Sequence, residues 1–385
     1  MTLLYYTSTS YFDCALEVIN LLKVRFRVHV LVEIKPASRS SNIINVKDLP
    51  GTDFADISDV VDQASYQKMD TYLRGTASAK FVIHKEENSA MAILRKSFVL
   101  SKYINAIDPD IVHIESINLR GLGLLPSIVS RRKIVLAIHD VIPHSGENNW
   151  KIWLPRFLFL KLPYEKRLMF YSNFSRALFE QTYKKDRSSK FVLKMSPYSF
   201  FSKSLEGAKK REHILFFGRL SPYKGIDILI ESIPAVLRKF PNETFVIAGK
   251  AIDNYAAVNH VPENISNNVR ILDRYVENDE LINLILNSKF VVCPYRDASQ
   301  SGVLMTAFAL NTPVIATNVG AFPEYLIPTV NGILIPPGSS EKLAAAIKEA
   351  LDNDLYKKME SNIIKKNITD VWNNSEEALT NSYLS

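Results

Sequence analysis

The sequence predicts an α/β protein built from two doubly wound, Rossmann-like domains. Strands alternate with amphipathic helices in the first half of the chain, and the same alternation begins again near Ile214. Such alternation is typical of a parallel sheet with helices on both faces. The length of 385 residues exceeds the usual size of a domain with a single hydrophobic core, which favours two domains. Because ligands of open α/β sheets bind at the carboxyl ends of the strands, we expect two sheets facing an interdomain crevice.

Hydrophobic periodicity places the elements in both halves. In the first half it predicts strands over Leu3–Tyr6, Val28–Val32, Ile111–Ile114 and Ile134–Ile138, and helices over Cys14–Leu22 and Ala90–Ile104. In the second half it predicts strands over Leu215–Phe217, Phe245–Gly249, Phe290–Val292 and Pro313–Ala316, and helices over Ile226–Phe240, Val303–Leu310 and Glu341–Leu351. We expect a first domain at 1–200, a charged linker at 201–212 and a second domain at 213–368.

The composition excludes several classes of protein. Cys14 and Cys293 are the only cysteines, which excludes a disulfide framework and fits a reduced compartment. No apolar run reaches the roughly 18 residues that a membrane span needs. The N-terminus has no basic stretch before its apolar residues, so we expect a cytoplasmic protein without a signal peptide.

The positive charge is concentrated in one block. Residues 151–211 hold 15 Lys/Arg against 4 Asp/Glu, within a chain of net charge +7. Such a block predicts an anionic partner. The preceding segment Trp150–Lys161 mixes aromatic, aliphatic and basic residues, which predicts peripheral binding to the inner face of an anionic cytoplasmic membrane through 150–211. A buried helix with a solvated basic face is the alternative, and Pro155 predicts two short helical pieces. No aromatic-basic motif supports a nucleic-acid partner.

Two segments that follow predicted strands have the chemistry of an anion site. Gly218 allows a sharp turn, and Arg219 and Lys224 flank a loop that enters a helix, which suits a diphosphate. Asp297 precedes Ser301 and Gly302, whose backbone N–H groups are expected at a helix N-terminus, where anions bind. The alternatives are a solvated basic loop and a helix cap without a ligand.

Residues 214–352 resemble the nucleotide-binding half of the group 1 (family 4) retaining glycosyltransferases, which have the GT-B fold. The matching pieces are Phe217-Gly218-Arg219-Leu220, Lys224-Gly225, Val246–Gly249, Thr312–Thr317, Val319–Glu324 and Asn331-Gly332. The resemblance implies that Arg219 and Lys224 bind the donor diphosphate, and that the backbone of Arg274, Tyr275 and Val276 contacts the nucleotide base. It also implies that the C-terminal segment 369–385, with Trp372 and Tyr383, packs back on the first domain.

The sequence departs from the family pattern at its two glutamates. The second of them falls at Thr306, and the first falls at Ala298 or, with a shift of one residue, at Asp297. The segment resembles a branch with an acidic residue before Gln-Ser-Gly-Val and no second Glu. Glu324 is the candidate that replaces the missing glutamate at the ribose.

The first half matches the family more loosely. His139 follows the strand Ile134–Ile138 and precedes Pro143–Glu147. At the position of His139 the family often has a His that reaches the donor sugar. A histidine that only makes a structural hydrogen bond is the alternative. Thr7–Ser10 replaces the family's Gly-rich first loop. The resemblance therefore implies His139, Asp297, Arg219 and Lys224 as the catalytic set.

The implied activity is transfer of a hexose from a UDP or GDP sugar to a hydroxyl acceptor, a lipid-linked or cell-surface glycan precursor in polysaccharide biosynthesis. We expect no cofactor and no metal, because GT-B enzymes manage leaving-group charge with basic residues and helix N-termini. A sugar-nucleotide 2-epimerase of the same architecture and a catalytically dead sugar-nucleotide-binding protein are the alternatives. An assay for a glycosylated acceptor separates the first from a transferase, and donor hydrolysis argues against the second.

Overall fold

The chain forms two compact units in a computed structural model that describes residues 1–36, 43–46, 48–84, 90–128, 133–142, 150–201, 210–252, 255, 261–365 and 376–384. One unit comprises Met1–Lys194 with Asn374–Ser385, and the other comprises Met195–Asn373. The division after Lys194 falls slightly before the predicted end of the first domain at residue 200. Most of the predicted linker, 202–209, and Trp372 lie outside the described residues.

The first unit is built on an eight-stranded sheet. Its strands are β1 (Thr2–Ser8), β2 (Arg27–Ile34), β3 (Phe54–Asp56), β4 (Ser78–Ile83), β5 (Ile111–Ile114), β6 (Lys133–Ile138), β7 (Lys166–Phe170) and β8 (Ser189–Val192). Their order is β3-β4-β2-β1-β5-β6-β7-β8, and every pairing is parallel except β3 with β4. Strands β2 and β5 lie on opposite sides of β1, so the strand order reverses direction between β1 and β5. The carboxyl ends of β1 and β5 therefore mark the switch point where ligands bind such sheets.

Helices cover the two faces of this sheet. They are α1 (Phe12–Leu22), α2 (Ile57–Val60), α3 (Gln63–Leu73), α4 (Ala90–Ile107), α5 (Leu125–Ile128), α6 (Trp150–Lys161) and α7 (Asn173–Thr182). Buried side chains of α4, α6 and α7 join one apolar core with alternate residues of the strands, so these three helices cover the same face. Helix α6 runs unbroken through Pro155, which corrects the expected two pieces. The missing N–H of Pro155 removes one backbone bond, and packing of Phe159 and Leu160 on the core retains the helix.

The second unit is built on a six-stranded parallel sheet. Its strands are β9 (His213–Phe217), β10 (Phe245–Gly249), β11 (Val269–Asp273), β12 (Ser288–Cys293), β13 (Val314–Thr317) and β14 (Gly332–Ile335). Its helices are α8 (Ile226–Leu237), α9 (Asn278–Leu286), α10 (Gly302–Ala309), α11 (Phe322–Tyr325), α12 (Ser340–Leu351) and α13 (Leu355–Lys365). The strand order β11-β10-β9-β12-β13-β14 places the switch point between β9 and β12.

The C-terminal helix α14 (Glu376–Leu384) belongs to the first unit. The Tyr383 side chain is fully buried, and its hydroxyl lies 2.5 Å from Nδ1 of His113. Arg167 donates from Nη1 to the backbone carbonyl of Ser382 at 2.8 Å. Buried contacts therefore hold α14 on the sheet of the first unit. Within the described residues, no helix is long and apolar enough to cross a membrane.

Candidate functional site

The turn after β9 brings backbone close to backbone. Gly218 has a φ of +120°, in the region that favours glycine. At the end of the neighbouring strand β10, a Cβ on Gly249 would lie 1.8 Å from the carbonyl oxygen of Gly218. A side chain at position 249 would therefore push the 218 turn out of place, so both glycines shape the loop that carries Arg219.

A second close approach joins this loop to the segment after β12. Gly225 has a φ of +67°, and a Cβ there would lie 2.0 Å from the carbonyl oxygen of Pro294. Arg296 strengthens the junction, because its backbone N–H donates to the Tyr223 carbonyl at 2.8 Å and its guanidinium forms two hydrogen bonds with Asp227, at 2.8 and 2.5 Å. The loops that follow β9 and β12 are thus fixed together at the switch point.

Lys224 lies at the centre of this junction. Its side chain is only 8% exposed, and its Nζ lies 3.8 Å from the centre of the Tyr295 ring, in cation–π geometry. No carboxylate among the described residues pairs with it. Burial, with a smaller contribution from the positive charge of Arg219, lowers the pKa of Lys224 to about 7. A buried ammonium without an anionic partner is costly, so this position favours an anionic ligand.

Buried hydroxyl groups occupy the same two loops. The hydroxyl of Ser221 is buried and has no hydrogen-bond partner among the described residues, and the buried hydroxyls of Tyr295 and Ser301 lie close enough to interact with each other. Ser301 is the N-cap residue of α10, and its side chain makes no cap hydrogen bond. Buried polar groups are normally satisfied, and α10 presents free backbone N–H groups at its start. An anion with several acceptor oxygens, such as a phosphate group, suits this set of donors.

Arg219 and Asp297 lie in these loops but are exposed. The Arg219 guanidinium donates to the Tyr223 hydroxyl at a long 3.4 Å. Gly302, the first residue of α10, is close to Tyr198, whose hydroxyl would lie 3.1 Å from a Cβ at position 302. The structure therefore brings five predicted residues to one junction: Gly218, Arg219, Lys224, Ser301 and Gly302.

The remaining predicted residues of the second unit lie on the flanks of the junction. Arg274, Tyr275 and Val276 follow β11, and the backbone N–H of Arg274 donates to the Gly249 carbonyl at 3.1 Å. The Arg274 side chain forms two hydrogen bonds with Glu280, at 2.8 and 2.7 Å, so its guanidinium is already engaged.

Glu324 and Thr306 bear on the missing family glutamate. Glu324 lies in α11, just after a turn in which a Cβ on Gly320 would come within 1.7 Å of the Ala298 carbonyl oxygen. This approach places the Glu324 segment beside the loop of Asp297. Thr306 is buried, and its hydroxyl donates to the Gly302 carbonyl at 2.9 Å, so it is committed to its own helix.

His139 in the first unit lies against a buried carboxylate that the sequence analysis missed. His139 and Glu115 directly follow the neighbouring strands β6 and β5, and Nε2 of His139 lies 3.3 Å from Oε1 of Glu115. The His139 ring stacks on Tyr11 with ring centres 3.9 Å apart. The Tyr5 hydroxyl donates to the other Glu115 oxygen at 2.7 Å, and the Tyr171 hydroxyl also donates to Glu115. His139 is therefore held in one orientation.

Glu115 remains an acceptor despite complete burial. Burial acts to raise the pKa of Glu115, but the hydrogen bond and charge of His139, together with His113 and Tyr171, outweigh burial and leave the pKa below its ordinary value. A pocket of about 240 Å³ opens at these side chains, with Asp140 and Arg156 also in its wall. Pro143–Glu147 lies outside the described residues.

Two short segments, 53–56 and 108–110, each contain two aspartates, and Asp53, Asp56 and Asp110 take part in structural contacts. Asp53 pairs with Lys96 at 2.5 Å, Asp56 pairs with Lys80 at 2.8 Å, and Asp110 accepts from the backbone N–H of Thr2 at 2.7 Å.

One group in the part of the chain that the structure describes has metal-ligand character. It consists of Cys14, Glu115 and His139, whose ligand atoms lie within 4.8 Å of one another. The Cys14 thiol is buried, and its pKa is raised by burial and by Glu115. A protonated thiol that donates to Glu115 at 3.4 Å is a hydrogen-bonding group of the His139 network.

Part of the second unit matches a known protein family. Residues 211–353 match the family described as "Glycosyl transferases group 1". An uncharacterized glycosyltransferase of Methanocaldococcus jannaschii is 28% identical over 186 residues, which cover 48% of this chain and 47% of the relative. The matches to the first curated relatives thus span less than half of those proteins.

Solved structures match almost the entire chain. Sucrose-phosphate synthase from Thermosynechococcus elongatus has a TM-score of 0.68 and 13% identity, with coverage of 99% of this chain and 97% of that one. HepE from Anabaena, solved in complex with UDP-glucose, has a TM-score of 0.65 and 16% identity, with coverage of 100% and 98%. The chain therefore has the GT-B fold of two Rossmann-like α/β units, and its residues 211–353 match the group 1 glycosyltransferases.

Proposed function

We propose that the protein is a retaining glycosyltransferase that takes a sugar from a nucleoside-diphosphate sugar. The observation that carries the proposal is the buried Lys224 ammonium, which lies at the switch point of the second sheet without a carboxylate partner among the described residues. A diphosphate supplies the missing negative charge. The relative HepE was solved with UDP-glucose, and we propose UDP or GDP as the nucleotide here.

In the proposed reaction the nucleoside diphosphate leaves while positive charge develops on the sugar ring. Lys224, Arg219 and the first N–H groups of α10 stabilise the charge that grows on the leaving phosphate. One preorganised donor of this type contributes on the order of 3–4 kcal/mol to transition-state stabilisation. As the bond between the anomeric carbon and the phosphate oxygen breaks, the acceptor oxygen bonds to the anomeric carbon on the same face. The leaving phosphate takes the proton of the acceptor hydroxyl, and the anomeric configuration is retained.

We assign His139 to the donor sugar and Asp297 to its hydroxyl groups. Glu115, whose Oε1 lies 3.3 Å from Nε2 of His139, orients the imidazole for its contact with the sugar. Glu115 is a positioning residue in this scheme. We propose a hexose as the group transferred, and a lipid-linked or cell-surface glycan precursor as the acceptor. The backbone of Arg274, Tyr275 and Val276 contacts the base, and Glu324 binds the ribose.

Donor binding is expected to depend on pH through Lys224. The pKa of Lys224 is about 7 without ligand, and the bound diphosphate raises it, because an opposite charge favours the ammonium. Binding therefore takes up a proton above pH 7. We expect the affinity for UDP-glucose to be constant below pH 7 and to fall by up to about tenfold per pH unit above it. The diphosphate of the donor keeps its charge throughout this range.

Calorimetry in buffers of different ionisation enthalpy measures both the donor affinity and the number of protons taken up on binding. Uridine, which lacks the diphosphate, is the control ligand and should show no proton uptake. A donor affinity that stays constant from pH 6 to about pH 9 would contradict the coupling of donor binding to protonation of Lys224.

Metal independence is the second expectation. The charge of the leaving group is compensated by Lys224, Arg219 and α10, and the acidic pairs described above are engaged with lysines or backbone. Turnover should therefore be unchanged by a chelator. Loss of activity with the chelator and recovery with a divalent cation would contradict this.

A further inference from the structure

An apolar surface covers the outer side of one helix layer in the first unit. Trp150, Trp153 and Phe157 of α6 are 62%, 58% and 43% exposed, and we call them the aromatic stripe. The spacing of three and four residues places them on one helix face, and the Trp153 and Phe157 rings stack with centres 5.0 Å apart. Because Phe159 and Leu160 of the same helix are buried in the core, α6 is apolar on both its inner and outer faces.

The same layer exposes further apolar residues on α4 and α7. Met91, Leu94 and Phe98 of α4 are exposed at helical spacing, and Phe174 of α7 is 40% exposed. Of the fourteen large apolar side chains exposed among the described residues, seven belong to α4, α6 and α7. So many exposed large apolar side chains on one helix layer are typical of an interaction site.

A basic pocket lies where the aromatic stripe ends. The stripe continues one turn to Lys161, which lines a pocket of about 580 Å³ between the ends of α6 and α7. The basic residues of its wall are Lys161, Lys166, Lys184, Lys185 and Arg187. Asp186 is the acidic residue of the wall, and it pairs with Lys190 at 3.2 Å. Glu165 is also exposed and precedes Lys166 in the sequence. Because the wall has five basic residues, the pocket keeps an excess of positive charge.

We infer that this face of the first unit docks on an anionic lipid membrane. The aromatic stripe and the exposed residues of α4 enter the interface between headgroups and acyl chains, and the basic pocket binds lipid headgroup phosphates. Tryptophan rings beside Lys and Arg are typical of helices that lie in this interface. Only the biological role of this docking, which is access to a lipid-linked acceptor, rests on the proposed function.

The structure shows which residues of the basic block are accessible to lipid. Arg167 belongs to the basic block of the sequence, but it is buried and bound to the Ser382 carbonyl, so it is not available to lipid. Lys166 is half-buried and donates to the Leu162 carbonyl at 2.9 Å. Lys184, Lys185 and Arg187 are exposed. They are the residues to replace.

The experiment is co-sedimentation of the full chain with liposomes of phosphatidylcholine alone or mixed with phosphatidylglycerol, at low and high salt. We expect binding to the mixed liposomes at low salt, and weaker binding at high salt. Removal of each exposed charge should lower the partition coefficient by about fivefold. The charge variant combines Lys184→Gln, Lys185→Gln and Arg187→Gln, and its control combines Lys342→Gln, Lys357→Gln and Lys358→Gln on the second unit. The stripe variant combines Trp153→Ser and Phe157→Ser, and its control combines Ile327→Ser and Ile364→Ser.

Weaker binding of both variants, with both controls bound like the wild type, supports the inference. Absence of binding to anionic liposomes at low salt overturns it, and so does equal binding of wild type and variants. Binding of single-stranded RNA that depends on the same residues, without binding to liposomes, assigns the face to nucleic acid and also overturns it. Thermal melts verify folding, and calorimetry with UDP-glucose separates this inference from the proposed donor site, since the variants should bind donor normally.

Discussion

Replacement of Lys224 with methionine is expected to lower kcat/KM for the nucleotide sugar by about 10²–10³-fold. The variant keeps the length of the side chain over the Tyr295 ring. It removes the positive charge and changes no other anion-binding group. Arg219→Ala is expected to act in the same direction with a smaller effect, because the Arg219 guanidinium is exposed and less strengthened by burial.

The same substitution should not destabilise the protein. The pKa of Lys224 in the folded chain is lower than its ordinary value of 10.5, so the folded state binds fewer protons between about pH 7 and 10, and stability rises with pH in that window. Below pH 7 the protonated lysine opposes folding, and the methionine variant should melt at the same temperature as the wild type or higher. Lys239→Met, at an exposed lysine paired with Asp352, is the control for the loss of one charge. Wild-type turnover of Lys224→Met would refute the assignment.

Replacement of His139 with alanine is expected to lower kcat by about 10²-fold while donor affinity changes little. This pattern arises when an interaction is made mainly in the transition state. Glu115→Gln should lower kcat in the same direction, since an amide cannot accept from all the donors that converge on the carboxylate.

A double variant distinguishes positioning from a separate structural role. If Glu115 acts through His139, the variant with both substitutions should lose no more turnover than His139→Ala alone. Multiplicative losses, or a strongly lowered melting temperature of His139→Ala with unchanged specific activity of the folded fraction, would contradict the assignment.

The sequence predicted the second unit more completely than the first, for a physical reason. Its site depends on glycines and short loops whose constraint is visible in the residues, as at Gly218 and Gly225. The helix predicted over Glu341–Leu351 begins at Ser340, and it is capped locally by Ser339, whose hydroxyl accepts from the Lys342 N–H at 3.1 Å. Local chemistry determines these features, so they can be predicted from the sequence alone.

Features that depend on long-range contacts were missed. Glu115 directly follows a predicted strand, and this position at the carboxyl edge was a signal that could have identified it. Its partners Tyr5 and Tyr171 are distant in sequence, so the buried network is visible only when the strands are side by side. Tyr295 was missed because nothing local indicates that its ring lies beneath Lys224. Arg167 appeared as a surface charge because its acceptor is on the distant helix α14.

The most direct test of the proposed activity is a transfer assay with UDP- and GDP-sugars and extracted membrane lipids as acceptors. Mass spectrometry and NMR of the products measure the transferred sugar, the released nucleotide and the anomeric configuration. We predict one nucleoside diphosphate released for each sugar transferred to a lipid hydroxyl, with the anomeric configuration of the donor retained. A donor converted to its epimer without a glycosylated product, or no turnover with any donor, would contradict the proposal.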